Sequence, residues 1–317
     1  MITHPEKVLF PDDGITKGEL AAYYERVADV MVPHLRGRPV TMERYPAGIH
    51  QKGFIQKDVV KGFPEWLERV EVPKKGGTSH YALVGDRRSL LWITNQNCVT
   101  PHVWPSRLPE LEKPDLCIVD LDPAADDLSA LRRAALGVRD LLAELGLESW
   151  VKTSGSKGFH IAVPLERTAS FEAVWRFSHG LGAVLVKRDP AHLTQEFIKA
   201  DRGGRILVDT GRNGFGATFA APYAVRPRPS APVSAPCTWA ELEAGSATPT
   251  SYTLRNLPAR LEERGDLWLD LMKRPQALDE ASRRLESLLT ESEWQDSFAA
   301  ATRRPTSRKK PKDKPAK

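Results

Sequence analysis

The strongest clue to the fold and chemistry of this chain is the stretch Leu116-Cys-Ile-Val-Asp-Leu-Asp-Pro123. Its apolar residues predict a buried β-strand, and the proline predicts the end of that strand. Because side chains alternate along a strand, Asp120 and Asp122 point to the same face at its carboxyl end. Adjacent carboxylates repel each other unless they are compensated, and Mg²⁺ or Mn²⁺ commonly does so where phosphates bind. The alternative is a pair of acids that caps the following helix.

A second segment, residues 150–163, reads as a strand, a tight polar turn and another strand. The turn is Ser154-Gly-Ser-Lys-Gly158, in which glycines let backbone amides approach an anion while the hydroxyls and Lys157 complete a phosphate cradle. It is not a Walker A loop, because the spacing differs and a strand follows. His160 opens this second strand and is either a structural residue or part of the same site.

A third segment, Arg205-Ile-Leu-Val-Asp209, is again an apolar strand that ends in an acid. A third carboxylate is what a two-metal site needs in order to hold both ions. We therefore predict that Asp120, Asp122 and Asp209 together bind two divalent cations, Mn²⁺ or Mg²⁺.

The order of these segments resembles the three motifs of the archaeo-eukaryotic primase superfamily, and within it the polymerase domain of bacterial DNA ligase D, an end-joining primase-polymerase. The resemblance extends over nearly the whole chain and includes further runs at residues 7–11, 16–20, 37–39, 42–46, 212–214 and 221–226. It implies an α/β (α+β) fold with mixed or antiparallel sheets and an RRM-like catalytic core flanked by helices. The implied domain covers residues 1–302, with an N-terminal module to about 112 and a catalytic module over about 113–300.

The resemblance also implies an activity. The chain would be a DNA-dependent nucleotidyltransferase that fills gaps and extends 3′ ends with NTPs or dNTPs during end joining or gap repair. Its implied partners are gapped or broken DNA with a 5′-phosphate, the nucleotides, Ku and a DNA ligase. We expect a monomer in the cytoplasm, associated with the nucleoid and not with a membrane.

Site residues follow from the matched motifs, one position at a time. The implied nucleotide-binding residues are Ser154, Lys157, His160, His102 and Arg226. The implied pocket for a DNA 5′-phosphate consists of His4, Lys7 and Lys17. The implied template or primer contacts are Phe54, Arg202 and Arg212. Ile55 departs from the family, which often has a second aromatic residue there, so we expect template stacking to depend on Phe54.

Charge and cysteine content agree with this interpretation without requiring it. The chain has 46 Lys and Arg against 41 Asp and Glu, a net charge of +5. Residues 303–317 hold eight of the basic residues and one acid, so the remainder has a net charge of −2. Bulk charge therefore does not predict DNA binding by the folded part, whereas the Lys/Pro tail is predicted to be disordered. Three widely spaced cysteines indicate buried thiols in a reducing compartment.

Local patterns predict the remaining elements. Thr16 and Glu19 form a capping box that begins a helix, and a β-rich region follows to about Thr100. Apolar periodicity predicts helices over about 128–145 and 171–186, and a helical region near 276–300. The proline-rich residues 226–236 predict an extended surface strap.

Two other functions remain open from the sequence. Two acids at a strand end also occur in metal-dependent nucleotide-sugar glycosyltransferases, which would have little need of the distant Asp209. A non-catalytic DNA-end-binding module would account for Lys7 and Lys17 but not for three converging acids. A stand-alone enzyme and an excised ligase domain are both compatible with the chain.

Overall fold

The computed structural model describes residues 2–302, so the prediction of a disordered basic tail lies outside the described residues. The helices are α1 (Lys17–Leu35), α2 (Arg87–Asn95), α3 (Leu128–Glu144), α4 (Phe171–Arg188), α5 (Trp239–Glu243), α6 (Leu257–Arg264), α7 (Asp279–Glu286) and α8 (Glu291–Thr302). Short 3₁₀ helices are Pro11–Asp13, Lys199–Arg202, Gly211–Asn213 and Leu271–Lys273.

Within residues 2–302, the strands form two six-stranded sheets and three small two-stranded ones. They are β1 (Val8–Phe10), β2 (Ile15–Thr16), β3 (Pro39–Arg44), β4 (Phe54–Gln56), β5 (Arg69–Lys74), β6 (Gly77–Leu83), β7 (Cys98–Val103), β8 (Ser106–Arg107), β9 (Glu110–Pro114), β10 (Leu116–Asp122), β11 (Trp150–Thr153), β12 (Phe159–Pro164), β13 (Leu193–Thr194), β14 (Ile206–Asp209), β15 (Phe219–Ala220), β16 (Ala224–Val225), β17 (Val233–Ser234) and β18 (Pro236–Cys237). The α/β class with mixed and antiparallel sheets is confirmed.

One sheet carries the acid strand at its centre, in the order β13-β14-β10-β12-β11-β18. β10 is antiparallel to both neighbours, whereas β13 and β14 are parallel. Apolar residues of α3 and α4 pack with this sheet in one buried cluster, which explains the near-continuous apolar run of β10. The acids are therefore held on a strand fixed from both sides.

The other sheet has the order β15-β7-β3-β6-β5, with β4 paired to β3. Its core contains α1 and α2 and also residues from beyond the catalytic strands, such as Tyr223, Leu254 and Trp268. The chain thus returns to this sheet after completing the acid site. The predicted division near residue 112 stays a prediction, but the core of this sheet contains residues from both sides of that division.

A buried ion pair ties the two sheets together just before the acid strand. Arg38, one residue before β3, donates to both carboxylate oxygens of Asp115 at 2.6 and 2.9 Å, and Arg107 lies 2.8 Å from the same carboxylate. Asp115 immediately precedes β10 and is buried. Its charge is compensated by bidentate bonding, which buried carboxylates require.

Most predicted elements are present, with three differences. The region to Thr100 also contains α2, begun by a capping box of Asp86 and Ser89. The helical region near 276–300 is two helices, α7 and α8. The prediction of a surface strap over residues 226–236 is wrong for its second half. Residues 231–237 are buried and contribute β17 and β18. Apolar contacts there outweigh the proline signal. Within residues 2–302, no helix has the length and apolarity that a membrane span needs.

Candidate active site

A cavity of about 380 Å³ lies where the two sheets meet. It is lined by ten residues that the sequence predicted for the site: His102, Asp120, Asp122, Ser154, Lys157, His160, Arg202, Asp209, Arg212 and Arg226. The acids and His160 come from the catalytic sheet, whereas His102 and β15 belong to the other sheet. The cavity therefore depends on both halves of the fold.

Strand register brings the three acids together. Asp120 on β10 lies directly opposite Asp209 on β14, so their side chains are cross-strand neighbours on one face. Asp122 is two residues further along β10 and points to that face as well. The prediction that the third acid converges with the first two is therefore met by direct pairing of their strands.

Two arginines compensate the acids. Arg212 Nη2 is 3.2 Å from Asp120 Oδ2 and 3.4 Å from Asp209 Oδ2, so it bridges the cross-strand pair. Arg202 Nη1 lies 2.8 Å from Asp122 Oδ2 and is itself buried. The resemblance implies template or primer contacts for both arginines, and that assignment stays a prediction; in this structure their guanidinium groups pair with the carboxylates.

The pKa values of the two paired acids, Asp120 and Asp209, are shifted in opposite directions. Burial opposes ionisation of Asp120, but contacts with His160 and Arg212 outweigh it and hold the Asp120 pKa well below its usual range. Burial raises the pKa of Asp209, and Arg212 opposes this only in part. The charge of Asp120 raises the Asp209 pKa further, because ionisation of one acid disfavours that of its neighbour.

The residues fit divalent cations in their chemistry. Carboxylate oxygens are the ligands that Mg²⁺ and Mn²⁺ prefer, and the bridging guanidinium of Arg212 shows that the Asp120–Asp209 pair accepts a cation. Within residues 2–302, no three metal-ligating side chains are grouped closely enough to chelate an ion as they stand. An ion held by this pair would replace Arg212.

The turn after β11 packs directly against the acid strand. A Cβ on Gly158 would lie 1.6 Å from the carbonyl oxygen of Leu121, so only glycine fits this approach. Ser154 Oγ accepts hydrogen bonds from the amides of Ser156 and Gly158 at 3.1 and 3.0 Å. These two amides thus close the turn instead of remaining open to an anion as predicted, while Lys157 still lines the cavity.

His160 connects the turn to the acids. It is the cross-strand neighbour of Asp120, and its Nε2 is 3.4 Å from Asp120 Oδ1. Its Nδ1 is 2.8 Å from Nζ of Lys152, a fully buried lysine that the sequence analysis did not select. Burial, together with the charge of Lys152, lowers the His160 pKa to about 4. Burial also lowers the Lys152 pKa well below its usual range.

The opposite wall of the cavity holds His102. His102 Nε2 is 2.9 Å from Glu43 Oε2, across the register pairing of β3 and β7. Burial opposes ionisation of Glu43, but hydrogen bonding to His102 and the charge of Arg226 lower its pKa to about 2. Nε of Arg226 is buried without a partner among the described residues. An unpaired guanidinium nitrogen at a polar cavity is suited to an anionic ligand.

The proposed template platform lies at an edge of the second sheet. Phe54 and Ile55 on β4 are 46% and 55% exposed, and the guanidinium of Arg44 lies 5.2 Å from the centre of the Phe54 ring. An exposed ring beside a cation can stack on a nucleic-acid base. Ile55 offers apolar surface but no ring.

The predicted 5′-phosphate pocket is only partly formed. The β1–β2 hairpin brings Lys7 beside Lys17, and the Lys17 amide donates to the Lys7 carbonyl at 2.7 Å. The Gly18 amide donates to the Pro5 carbonyl, and the Glu19 amide donates to Thr16 Oγ1.

These amides at the start of α1 are therefore satisfied by other acceptors and are not free to bind an anion. Lys17 is buried and its Nζ donates to the Thr3 carbonyl at 2.7 Å. Burial lowers the Lys17 pKa, and the charge of Lys7 adds to this. The His4 side chain is largely exposed.

Two residues of the site were not predicted from the sequence. Lys152 was hidden because a lysine within a strand is usually a surface residue, and only its register with His160 reveals it. Glu43 lies in the run that resembles the family, at residues 42–46, but its contact with His102 spans 59 residues. Both signals depend on strand pairing.

The comparisons agree with this fold. The profile described as LigD, primase-polymerase domain, matches residues 16–268, and the chain belongs to this family. It is 37% identical over 271 residues to the multifunctional non-homologous end joining protein LigD of Mycolicibacterium smegmatis, covering 84% of this chain and 35% of the relative. It is 33% identical over 286 residues to the LigD of Pseudomonas aeruginosa, covering 89% and 34%. The chain thus spans about a third of these relatives.

A solved structure shows the same architecture. The polymerase domain of Mycobacterium tuberculosis ligase D, in complex with DNA, superposes with a TM-score of 0.82 at 33% identity. The match covers 87% of this chain and 99% of that domain. The part of the long relatives that this chain corresponds to is therefore the polymerase domain.

Proposed function

We propose that the chain is a DNA-dependent nucleotidyltransferase that fills gaps and extends 3′ ends with NTPs or dNTPs during end joining or gap repair. The observation that carries this proposal is the convergence of Asp120, Asp122 and Asp209 with cationic and hydrogen-bonding side chains around one cavity. Family membership supports the same class of reaction. The DNA-bound relative supports DNA as the substrate.

The residues divide the work between two walls of the cavity. The three aspartates would hold two divalent ions, which, when bound, lower the pKa of a primer 3′-hydroxyl and neutralise charge on the departing pyrophosphate. Lys157 and Arg226, which line the cavity, would bind the triphosphate, with His160 donating from the sheet. His102, which contacts Glu43, would face the nucleotide from the other sheet.

The proposal extends to substrates and partners. DNA with a gap or break would be held by Phe54 and by the region of His4, Lys7 and Lys17. The end-joining names of the relatives favour Ku and a DNA ligase as partners. We also propose that the protein acts as a monomer at the nucleoid.

The decisive experiment is primer extension on a gapped, 5′-phosphorylated DNA with labelled primer, NTPs or dNTPs and Mn²⁺. We expect the wild-type chain to add nucleotides. Asp120→Asn should reduce the rate on the order of 10³-fold or more while leaving DNA affinity nearly unchanged. DNA binding without extension would identify an end-binding module, and transfer from a nucleotide sugar would identify a glycosyltransferase. Asp120→Asn that retains a tenth of the rate would exclude the assignment of the acids.

A further inference from the structure

A single row of side chains crosses the catalytic sheet. In the register of four adjacent strands, Lys152 lies opposite His160, His160 opposite Asp120, and Asp120 opposite Asp209. Directly paired residues point to the same face of a sheet. A buried lysine is therefore connected to the acid pair through one imidazole, and the proposed chemistry gives this lysine no role.

The Lys152 amine is fully buried and has a defined set of acceptors. The Ser234 hydroxyl donates to the Thr153 carbonyl at 3.0 Å, so its oxygen is available to accept from Lys152. The amine also lies 5.8 Å from the centre of the Phe219 ring, which presents its electron-rich face. The remaining partner of Lys152 is Nδ1 of His160 at 2.8 Å.

The contact between His160 and Asp120 indicates the direction of the hydrogen bonds in this row. His160 Nε2 faces Oδ1 of Asp120, and an ionised carboxylate only accepts hydrogen bonds. This contact favours the proton on Nε2, which leaves Nδ1 of the neutral ring as an acceptor. An acceptor at Nδ1 requires that Lys152 be the donor. We propose that Lys152 is a positioning residue that holds His160 in the Nε2–H tautomer, with this N–H directed at the acids and the cavity.

This arrangement matters when Asp120 is engaged elsewhere. The Asp120 carboxylate already contacts Arg212, and its 3.4 Å separation from His160 is long for a hydrogen bond. If a cation were bound at Asp120, the contact with Lys152 would be left to fix the tautomer. His160 then keeps a donor for an anionic oxygen, such as a nucleotide phosphate; only this last step rests on the proposed function.

The tautomer can be measured directly by NMR of protein carrying ¹⁵N-labelled histidine, with the His160 signals assigned from a His160→Asn spectrum. Two variants remove the two candidate causes separately. If Lys152 fixes the ring, Asp120→Asn keeps the single Nε2–H tautomer, whereas Lys152→Met shows both tautomers. The opposite pattern, loss in Asp120→Asn and retention in Lys152→Met, would assign the tautomer to Asp120 and overturn the proposal.

A buried lysine can also matter for folding, so the melting temperature of each variant is measured first. If Lys152→Met does not fold, Ser234→Ala removes one acceptor of the amine in a milder way and should broaden or split the His160 signals. The Asp120→Asn spectrum remains decisive by itself, because a mixed tautomer there contradicts the proposal.

Nucleotide KM and DNA affinity together distinguish a positioning role of Lys152 from a general loss of structure. We expect Lys152→Met to raise KM for the nucleotide about tenfold while the dissociation constant for gapped DNA stays the same. Unchanged nucleotide KM in a folded variant would show that the tautomer has no bearing on nucleotide binding. Absence of extension by the wild-type protein would refute the proposed function and leave the NMR result standing.

Discussion

At the scale of single residues, the site balances three carboxylates with two guanidinium groups. Arg202 is buried and held by three acceptors: Asp122 and the carbonyls of Glu196 and Phe197. The Arg212 side chain is 41% exposed and bridges Asp120 and Asp209 at longer distances. Arg212 is therefore the easier of the two arginines to displace. An added cation would compete most readily for the two carboxylates that Arg212 bridges.

We predict that Arg212→Gln binds Mn²⁺ more tightly than the wild-type chain. The substitution removes a resident positive charge with which the ion must compete for two carboxylates. The expected gain is about tenfold in the dissociation constant, equivalent to ~1.4 kcal/mol. The measurement is titration of free Mn²⁺ by electron paramagnetic resonance without nucleotide or DNA.

The matched control for this experiment is Arg228→Gln, which removes the same charge from an exposed position. It should leave the Mn²⁺ affinity close to that of the wild-type chain. Equal or weaker binding by Arg212→Gln would mean that Arg212 does not compete with the ion.

At the scale of elements, the sequence predicted the parts of the site better than their pairing. Apolar runs ending in Asp122 and Asp209 identified two strands, and the glycines of the turn identified its tightness. Their register could not be read from the sequence, because the direct pairing of Asp120 with Asp209 joins residues far apart in the chain. For the same reason the contact between Lys152 and Ser234, 82 residues apart, was out of reach.

Short elements were not predicted for a different reason. The capping residues Asp86 and Ser89 were present in the sequence, but the nine-residue α2 lies among strands whose turn signals dominate the local pattern. The prolines after Arg226 suggested a surface strap, whereas Ala231, Val233 and Ala235 are fully buried. Tertiary packing overrode local preference at both places.

We predict a pH-dependent contribution of Glu43 to the link between β3 and β7. Its pKa of about 2 lies below the ordinary value of 4.5, so its ionised form stabilises the folded state. That stability is fully present above pH 4.5 and is lost as the pH falls toward 2. Glu43→Gln should therefore unfold more easily than wild type at pH 6, and the difference should shrink with acidification.

Urea unfolding at a series of pH values measures this difference. Glu25→Gln is the matched control, since it removes an exposed glutamate from α1. A difference in unfolding free energy between wild type and Glu43→Gln that grows below pH 4.5 would contradict the prediction.

The start of α1 carries a second prediction. We expect the wild-type chain to bind a 5′-phosphorylated gap more tightly than a 5′-hydroxyl gap, because Lys7 and Lys17 lie side by side and a phosphate there would relieve their repulsion. A Lys7→Ala/Lys17→Ala variant should lose this difference while still extending an open template-primer. Fluorescence anisotropy with the two gapped DNAs measures this difference in affinity. Equal wild-type affinities for the two DNAs would contradict a 5′-phosphate site at these lysines.

At the scale of the whole molecule, the cavity exists because the chain passes from the sheet of β3 and β7 to the catalytic sheet and returns to the former at β15. His102 and Phe219 on the second sheet face Asp120 and His160 on the first. The Arg38–Asp115 pair joins the sheets at the base of the acid strand. In the proposed function, a site assembled from two sheets would bind a nucleotide from one side and orient it from the other.

Charge is distributed unevenly over the same molecule. Residues 1–302 have a net charge of −2, so the positive excess of the chain is carried by residues 303–317. Phosphate contacts made by these basic residues would add affinity without base specificity. They would also add nothing to the chemistry at the three acids.

We therefore predict that a chain ending at residue 302 binds DNA more weakly and with a smaller salt dependence. Each lost contact to duplex DNA should lower the slope of log affinity against log salt by about 0.9. Turnover on saturating DNA should not change, because the cavity lies within residues 102–226. Binding titrations at several salt concentrations measure the slope. Two full-length controls separate charge from sequence: a scrambled tail should keep the wild-type slope, and a tail with its eight basic residues changed to Gln should match the truncation. A slope that stays the same after truncation would place the DNA contacts wholly on the folded part.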